Sequence, residues 1–243
     1  MDTMRNSIRT DTVCLLVAFL LSTVMVVTLA APASADDKQD AAQLVEKARM
    51  TLESFMSDSS MGAFRDLIKD AKGVLVIPQL LEGAFIFGAS GGSGVLVIRD
   101  GKKDQWFGPA FYTIGGASFG FQAGGQSSEV VLLLMTDRGV GSVMASSFKL
   151  GADIGIAAGP VGAGVSASTA NLSADVLSFS RSKGLYGGIS LDGAVVATRG
   201  DWNEAYYSKK VTSTDILVRR EVTNPQSDGL ISEVTRMGCS ASC

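Results

Sequence analysis

Three pairs of basic residues stand out along the chain: Lys102-Lys103, with Arg99 just before them, then Lys209-Lys210 and Arg219-Arg220. Paired cations suit contact with phosphate groups, and near an anionic lipid surface each contributes up to about 1 kcal/mol. The same residues at turns and helix ends also serve solvation or complement helix dipoles. Carboxylates are plentiful but scattered, at Glu82, Asp104, Glu129, Asp137, Asp153, Asp175 and Asp192. A glycosidase needs two of them facing each other at a defined separation, and spacing along the chain does not establish that. The chain has no His at all. Its absence removes Ser-His-Asp and Cys-His nucleophiles, His-ligated zinc and His-held haem. The cysteines are Cys14, Cys239 and Cys243. The last two could close a small disulfide ring in an oxidising compartment, or form an inconsequential tail over 239–243. Two thiols alone make a poor zinc site. No catalytic residue, metal ligand or cofactor is assigned.

Two glycine clusters superficially resemble phosphate loops: Gly88-x-x-Gly91-Gly92-x-Gly94 and Gly159-Pro160-x-Gly162-x-Gly164. A dinucleotide loop needs a strand before it and a helix starting on its last glycine. Here Val95 to Arg99 reads as a strand, residues 165–170 read as extended, and no Gly-Lys-Ser/Thr follows. Turn and bulge glycines are the better reading.

The elements that must position these residues follow from periodicity. Residues 41–57 read as an amphipathic helix, with Leu44, Ala48, Leu52 and Phe55 on one face. A second helix is expected at roughly 60–71, closed by Gly73. Strand candidates follow: Val74 to Ile77 closed by Pro78, Ala84 to Ser90, Gly94 to Arg99, Trp106 to Ile114, Ala117 to Ala123 and Glu129 to Thr136. Gly91-Gly92-Ser93, Asp100-Gly101, Gly115-Gly116 and Gly124-Gly125 read as the turns between them. Residues 137–148 have helix-like spacing. Further strands are expected at 151–158, 162–170, 174–182 and 185–191. Another, at 194–198, pairs with the last of these through Asp192-Gly193. Short helices are expected at 202–207, 214–220 and 228–237. This order predicts an α+β fold: N-terminal helices packed on a Gly-rich, mainly antiparallel curved β-sheet, barrel- or sandwich-like, with short C-terminal helices.

The N-terminus reads as an export signal. Arg5 and Arg9 precede an apolar run from Val13 to Ala31, and Ala33-Ser34-Ala35 offers a small-x-small cleavage site. Residues 1–35 are therefore expected to be a signal peptide, and 36–238 a single domain. The expected location is exported, periplasmic or secreted. The alternative is an anchor formed by an uncleaved N-terminal segment, because the run, roughly 18 residues, approaches spanning length. Glycine makes up 28 of the 243 residues, and the formal net charge is −3. Glycine at that density fits a sharply curved sheet. The charge argues against a nucleic-acid partner. Aromatics at 7% and a helical C-terminal region do not suit a membrane barrel.

Ordered motifs resemble one family. Ala71 to Pro78, Gly83 to Gly88 and Gly92 to Leu96 resemble the opening of the SYLF lipid-binding domain. Trp106-Phe107-Gly108-Pro109-Ala110-Phe111, Gly115 to Gly124, Gly159 to Gly162, Ser182 to Gly188 and Asn203-x-x-Tyr206-Tyr207 continue it in the family order. The resemblance covers roughly residues 40–235 and implies non-enzymatic binding of lipid, in eukaryotic relatives phosphoinositides; some relatives also bind actin. Export makes actin an unexpected partner here. The expected partner is a phospholipid or anionic membrane surface, the alternative an envelope protein partner in a structural or assembly role. The expected lipid-binding residues are Arg99, Lys102, Lys103, Lys209 and Lys210 for phosphate. Leu44, Leu52 and Phe55 are expected to meet acyl chains.

Overall fold

The computed structural model describes residues 33–84, 87–119, 124–162, 173–184 and 191–239. The chain divides into two compact units, Met1–Asp36 and Asp37–Cys243. Residues 1–32, where the signal peptide is expected, lie outside the described residues, as do most of the expected strands at 162–170 and 185–191.

The second unit begins within helix α1 (Ala33–Ser57), followed by α2 (Gly62–Leu67) and a 3-10 turn. Four long strands come next: β1 (Gly73–Ala84), β2 (Phe87–Asp100), β3 (Gln105–Phe119) and β4 (Gly124–Leu134). Then follow α3 (Asp137–Ser142), β5 (Ser147–Lys149), β6 (Ile156–Ala158), β7 (Val176–Gly184) and β8 (Val195–Thr198). Helix α4 (Gly200–Tyr207), a π-helical turn (Asp215–Arg219) and α5 (Asp228–Gly238) end the domain. The strands form one eight-stranded sheet in the order β5-β8-β3-β2-β1-β4-β7-β6. Its pairings are antiparallel except β6 with β7, which is parallel. The fold is α+β, and the sheet is a strongly curled half-barrel: among the described residues β5 and β6 remain as its edges.

The strands read as nearly continuous apolar runs because both sheet faces are covered there. Val74, Val76, Val95, Val97, Val131 and Leu133 point to one face, against α1, α2 and α5. Leu75, Ile77, Leu96, Ile98, Leu132 and Leu134 point to the other, against Phe148, Leu150, Ile216 and Leu217. The helical face expected for 41–57 is confirmed: Ala41, Ala48, Leu52 and Phe55 are fully buried. Phe55, Phe64 and Phe179 join helix to sheet edge-to-face, with ring centroids 5.5 and 5.4 Å apart.

Two expectations about glycine and proline are corrected. Pro78 does not close a short strand; β1 runs through it. Between paired positions β1 carries one residue more than either neighbour: Val76 to Gln79 opposes Val95 to Ser93, and Ile77 to Leu80 opposes Val130 to Ser128. A bulge absorbs the missing proline donor and bends the strand. Likewise Gly91-Gly92-Ser93 and Gly115-Gly116 are not turns but lie inside β2 and β3. A Cβ on Gly92 would stand 2.5 Å from the Gln79 carbonyl oxygen, and one on Gly94 would stand 2.7 Å from that of Val76. The bulged strand therefore presses on its neighbour where only glycine fits. The expected strand 151–158 shortens to Ile156–Ala158, and the helix-like segment 137–148 shortens to α3, capped by the Thr136 side chain.

Candidate functional site

The Lys102-Lys103 pair sits in the turn between β2 and β3, and both side chains are exposed. Asp100 organises that turn by accepting from the Lys102 backbone N–H at 2.8 Å. Its other oxygen accepts from Arg220 at 2.5 Å, and the Arg220 guanidinium lies over the Phe107 ring, 3.8 Å from its centroid. The Arg220 hydrogen bond, then the Lys102 N–H, hold the Asp100 carboxyl below the usual carboxylate range. The next residue, Glu221, pairs with Lys209 at 3.6 Å. The Asp100–Arg220 pair thus joins segments 120 residues apart, and the adjoining Lys209–Glu221 pair ties the end of α4 to the same segment. Lys102, Lys103, Lys209 and Arg219 share this rim as exposed cations. Among the described residues Lys102, Lys103 and Lys210 make no ion pair, whereas Arg219 is paired with Asp215 at 2.7 Å.

Arg99 is placed differently. It pairs with Asp104, donates to the backbone oxygens of Lys69 at 2.6 Å and Gly238 at 3.3 Å, and lies over the Trp106 ring. Its side chain ties the hairpin to the helices and stands behind the lysine turn. Leu44, Leu52 and Phe55 are 8%, 0% and 0% exposed and face the sheet. For these three to meet acyl chains, α1 would have to leave the sheet. The structure leaves Lys102, Lys103 and Lys209 exposed on the joined segments, sets Lys210 on the wall of a separate pocket, ties Arg99 to the helices and places the apolar candidates in the core.

Two further features escaped the sequence. Beside α1, Lys47, Ser54, Gln79 and Arg181 line a groove of about 510 Å³. Arg181 is anchored there by Glu129, by Asp58 at 3.4 Å and by Ser54, with Phe55 beneath it. An arginine in the middle of β7, two residues after the buried Phe179, was the available signal. The second feature is a pocket of about 470 Å³ between α4 and residues 210–215, lined by Asn203, Lys210 and Ser213 among others. In the core nearby, burial pushes the Tyr112 hydroxyl pKa up to about 12, and that hydroxyl donates to the Val143 carbonyl at 2.7 Å.

The carboxylates noted in the sequence are mostly engaged structurally. Glu82 accepts from Gln126, Glu129 pairs with Arg181, and Asp137 pairs with Lys72 at 2.7 Å. Asp153 accepts from the Lys149 N–H at 2.7 Å, and Asp175 accepts from Thr136 at 2.6 Å. Among the described residues, no three His, Cys, Asp or Glu side chains gather as a metal-binding group. Among them, too, no helix is long and apolar enough to cross a membrane. Cys239 is disulfide-bonded, and both other cysteines lie outside the described residues.

Comparison with known proteins adds a second line of observation. The Ysc84 family model, described as "Las17-binding protein actin regulator", matches residues 115–237. The chain is 33% identical over 196 residues to Protein YSC84 of Saccharomyces cerevisiae, covering 76% of this chain and 41% of that protein. It is 33% identical over 195 residues to LAS seventeen-binding protein 3 of the same yeast, covering 76% and 42%. It is also 33% identical over 155 residues to the human SH3 domain-containing YSC84-like protein 1, covering 62% and 44%. The chain thus spans less than half the length of each of these relatives.

Proposed function

The chain belongs to the Ysc84 (SYLF) family, and from that premise we propose that it is a non-enzymatic binding domain for an anionic phospholipid or similar amphiphile surface. The observation that carries this reading is the rim. Lys102, Lys103 and Lys209 are exposed on two segments held together by Asp100–Arg220 and Glu221–Lys209, with Lys210 next in the chain. A preassembled set of cations meets a charged surface without the entropy loss of gathering them. Arg99 acts behind them by holding the hairpin. The absence of His and the binding roles in the relatives' names support a non-catalytic domain. The leader-like residues 1–35 support an exported protein, and so an envelope or extracellular membrane surface.

The test is sedimentation of the protein with phosphatidylglycerol-containing vesicles. At low salt, the Lys102→Glu/Lys103→Glu double variant is expected to bind roughly 10–30-fold more weakly, at about 1 kcal/mol per lysine. Binding that is unchanged by this variant and insensitive to salt would remove the rim as a lipid site. That result would favour a second reading, a protein partner, which the names of the Las17-binding yeast relatives support. An affinity capture with one reproducible partner, abolished by the same variant, would establish it.

A further inference from the structure

The pocket beside α4 has two buried polar side chains, Asn203 and Ser213, that the rim reading does not use. Its volume, about 470 Å³, lies in the range of small-molecule sites. Asn203 is 1% exposed, and its Oδ1 accepts from the Phe111 backbone N–H at 3.0 Å. Its Nδ2 is fully buried and has no partner. A buried amide donor without an acceptor is costly and calls for one supplied from elsewhere. Ser213 is 4% exposed; its hydroxyl approaches that of Tyr112 but reaches no partner within hydrogen-bonding geometry.

Two more features set the sign of the ligand. Lys210 lines the pocket and has no ion pair among the described residues. Gly200, the first residue of the eight-residue helix α4, is also on the wall, and Arg199 before it gives no side-chain cap. A Cβ on Gly200 would meet nothing within 4 Å, so there is open space beside the first residue of the helix. Of the two carboxylates on the wall, Asp215 is already engaged by Thr212 and Arg219 at 2.7 Å each. Glu204 is exposed.

We propose that this pocket binds a small molecule through an oxyanion, a phosphate or carboxylate group, that accepts from Asn203 Nδ2 and is neutralised by Lys210. The site goes beyond surface binding at the rim: it is a half-open pocket that a soluble ligand can fill with no membrane present. Met144 and Val211 supply the apolar part of its wall.

The experiment follows the Asn203 side-chain amide by nuclear magnetic resonance as the full protein is titrated with inorganic phosphate, acetate or dihexanoyl phosphatidate. A saturable shift of that amide is expected with at least one probe. Saturation by phosphate or acetate identifies a free anion as sufficient; saturation by the phosphatidate alone identifies a lipid headgroup as the source. Lys210→Gln, at an exposed position, is expected to weaken binding about tenfold. Asn203→Asp keeps the acceptor for Phe111 but reverses the donor, and is expected to abolish binding. No saturable shift with any probe, or equal affinity in Lys210→Gln, would overturn the proposal and leave Asn203 a structural residue solvated by water.

Discussion

The two ends of the central strands are built on opposite terms. On one side of the Pro78 bulge, β1 carries Val74, Leu75, Val76 and Ile77, all at most 2% exposed, and its neighbours answer with Val95 to Val97 and Val130 to Leu134. Both faces are covered there. On the other side, Leu81 is 55% exposed, and Gly83, Ala89, Gly91, Thr113 and Gly125 are exposed too. Strand pairing continues through both halves, broken only locally by bulges. The backbone ladder alone therefore does not decide where stability resides; burial of side chains does. The apolar half is a scaffold that fixes the rim and the α4 pocket. The glycine half extends the sheet as a thin, small-residue surface beside the α1 groove.

That contrast can be broken or sharpened by substitution. The largest effect is expected at Phe179, fully buried against Phe64. Phe179→Ala should cost about 3–5 kcal/mol in urea unfolding, whereas Leu81→Ala should stay within about 0.5 kcal/mol. Equal losses would mean that the glycine half is covered in solution. A smaller effect is expected at the bulge. Gly94→Ala forces a Cβ to within 2.7 Å of a carbonyl oxygen and should cost about 1–3 kcal/mol. Gly83→Ala meets nothing within 4 Å and serves as the neutral counterpart. A tolerated Gly94→Ala would show that the bulge is not what curls the sheet.

The smallest effect is electrostatic and belongs to the base of the apolar half. A hydrogen bond from Thr136, then one from the Gly155 N–H and the nearby Arg138, hold Asp175 below the usual carboxylate range. A carboxyl depressed in the folded state stabilises above its unfolded value, and that contribution disappears as pH falls through the folded one. The melting temperature is thus expected to fall as pH drops below about 4, the ordinary Asp value. Asp175→Asn should lower stability at neutral pH and flatten this acid slope. An unchanged slope would assign the acid sensitivity to Asp58, Asp100 or Asp215, which are depressed by comparable hydrogen bonds.

Much of the fold was legible because it rests on local pattern. The face of α1 follows from Leu44, Ala48, Leu52 and Phe55, and the Asp100-Gly101 hairpin from its turn chemistry. The glycine clusters were misread because a glycine needed for close strand approach looks, residue by residue, like one needed for a turn. Lys102, Lys103, Lys209 and Lys210 were legible as cations. Their division between a rim and a pocket was not, since it depends on Asp100 meeting Arg220 across 120 residues.

The sequence by itself determined which chemistries are closed to this chain, through the absence of His, as well as its family and the order of its elements. These depend on residue type and short-range periodicity. Only the tertiary structure decided that both sheet faces are buried up to Pro78, that Arg99 is held behind the lysine turn, and that Asn203 keeps a buried donor without an acceptor. Each of these is set by groups far away in the chain, and no local pattern encodes which distant surface will cover a side chain or leave it open.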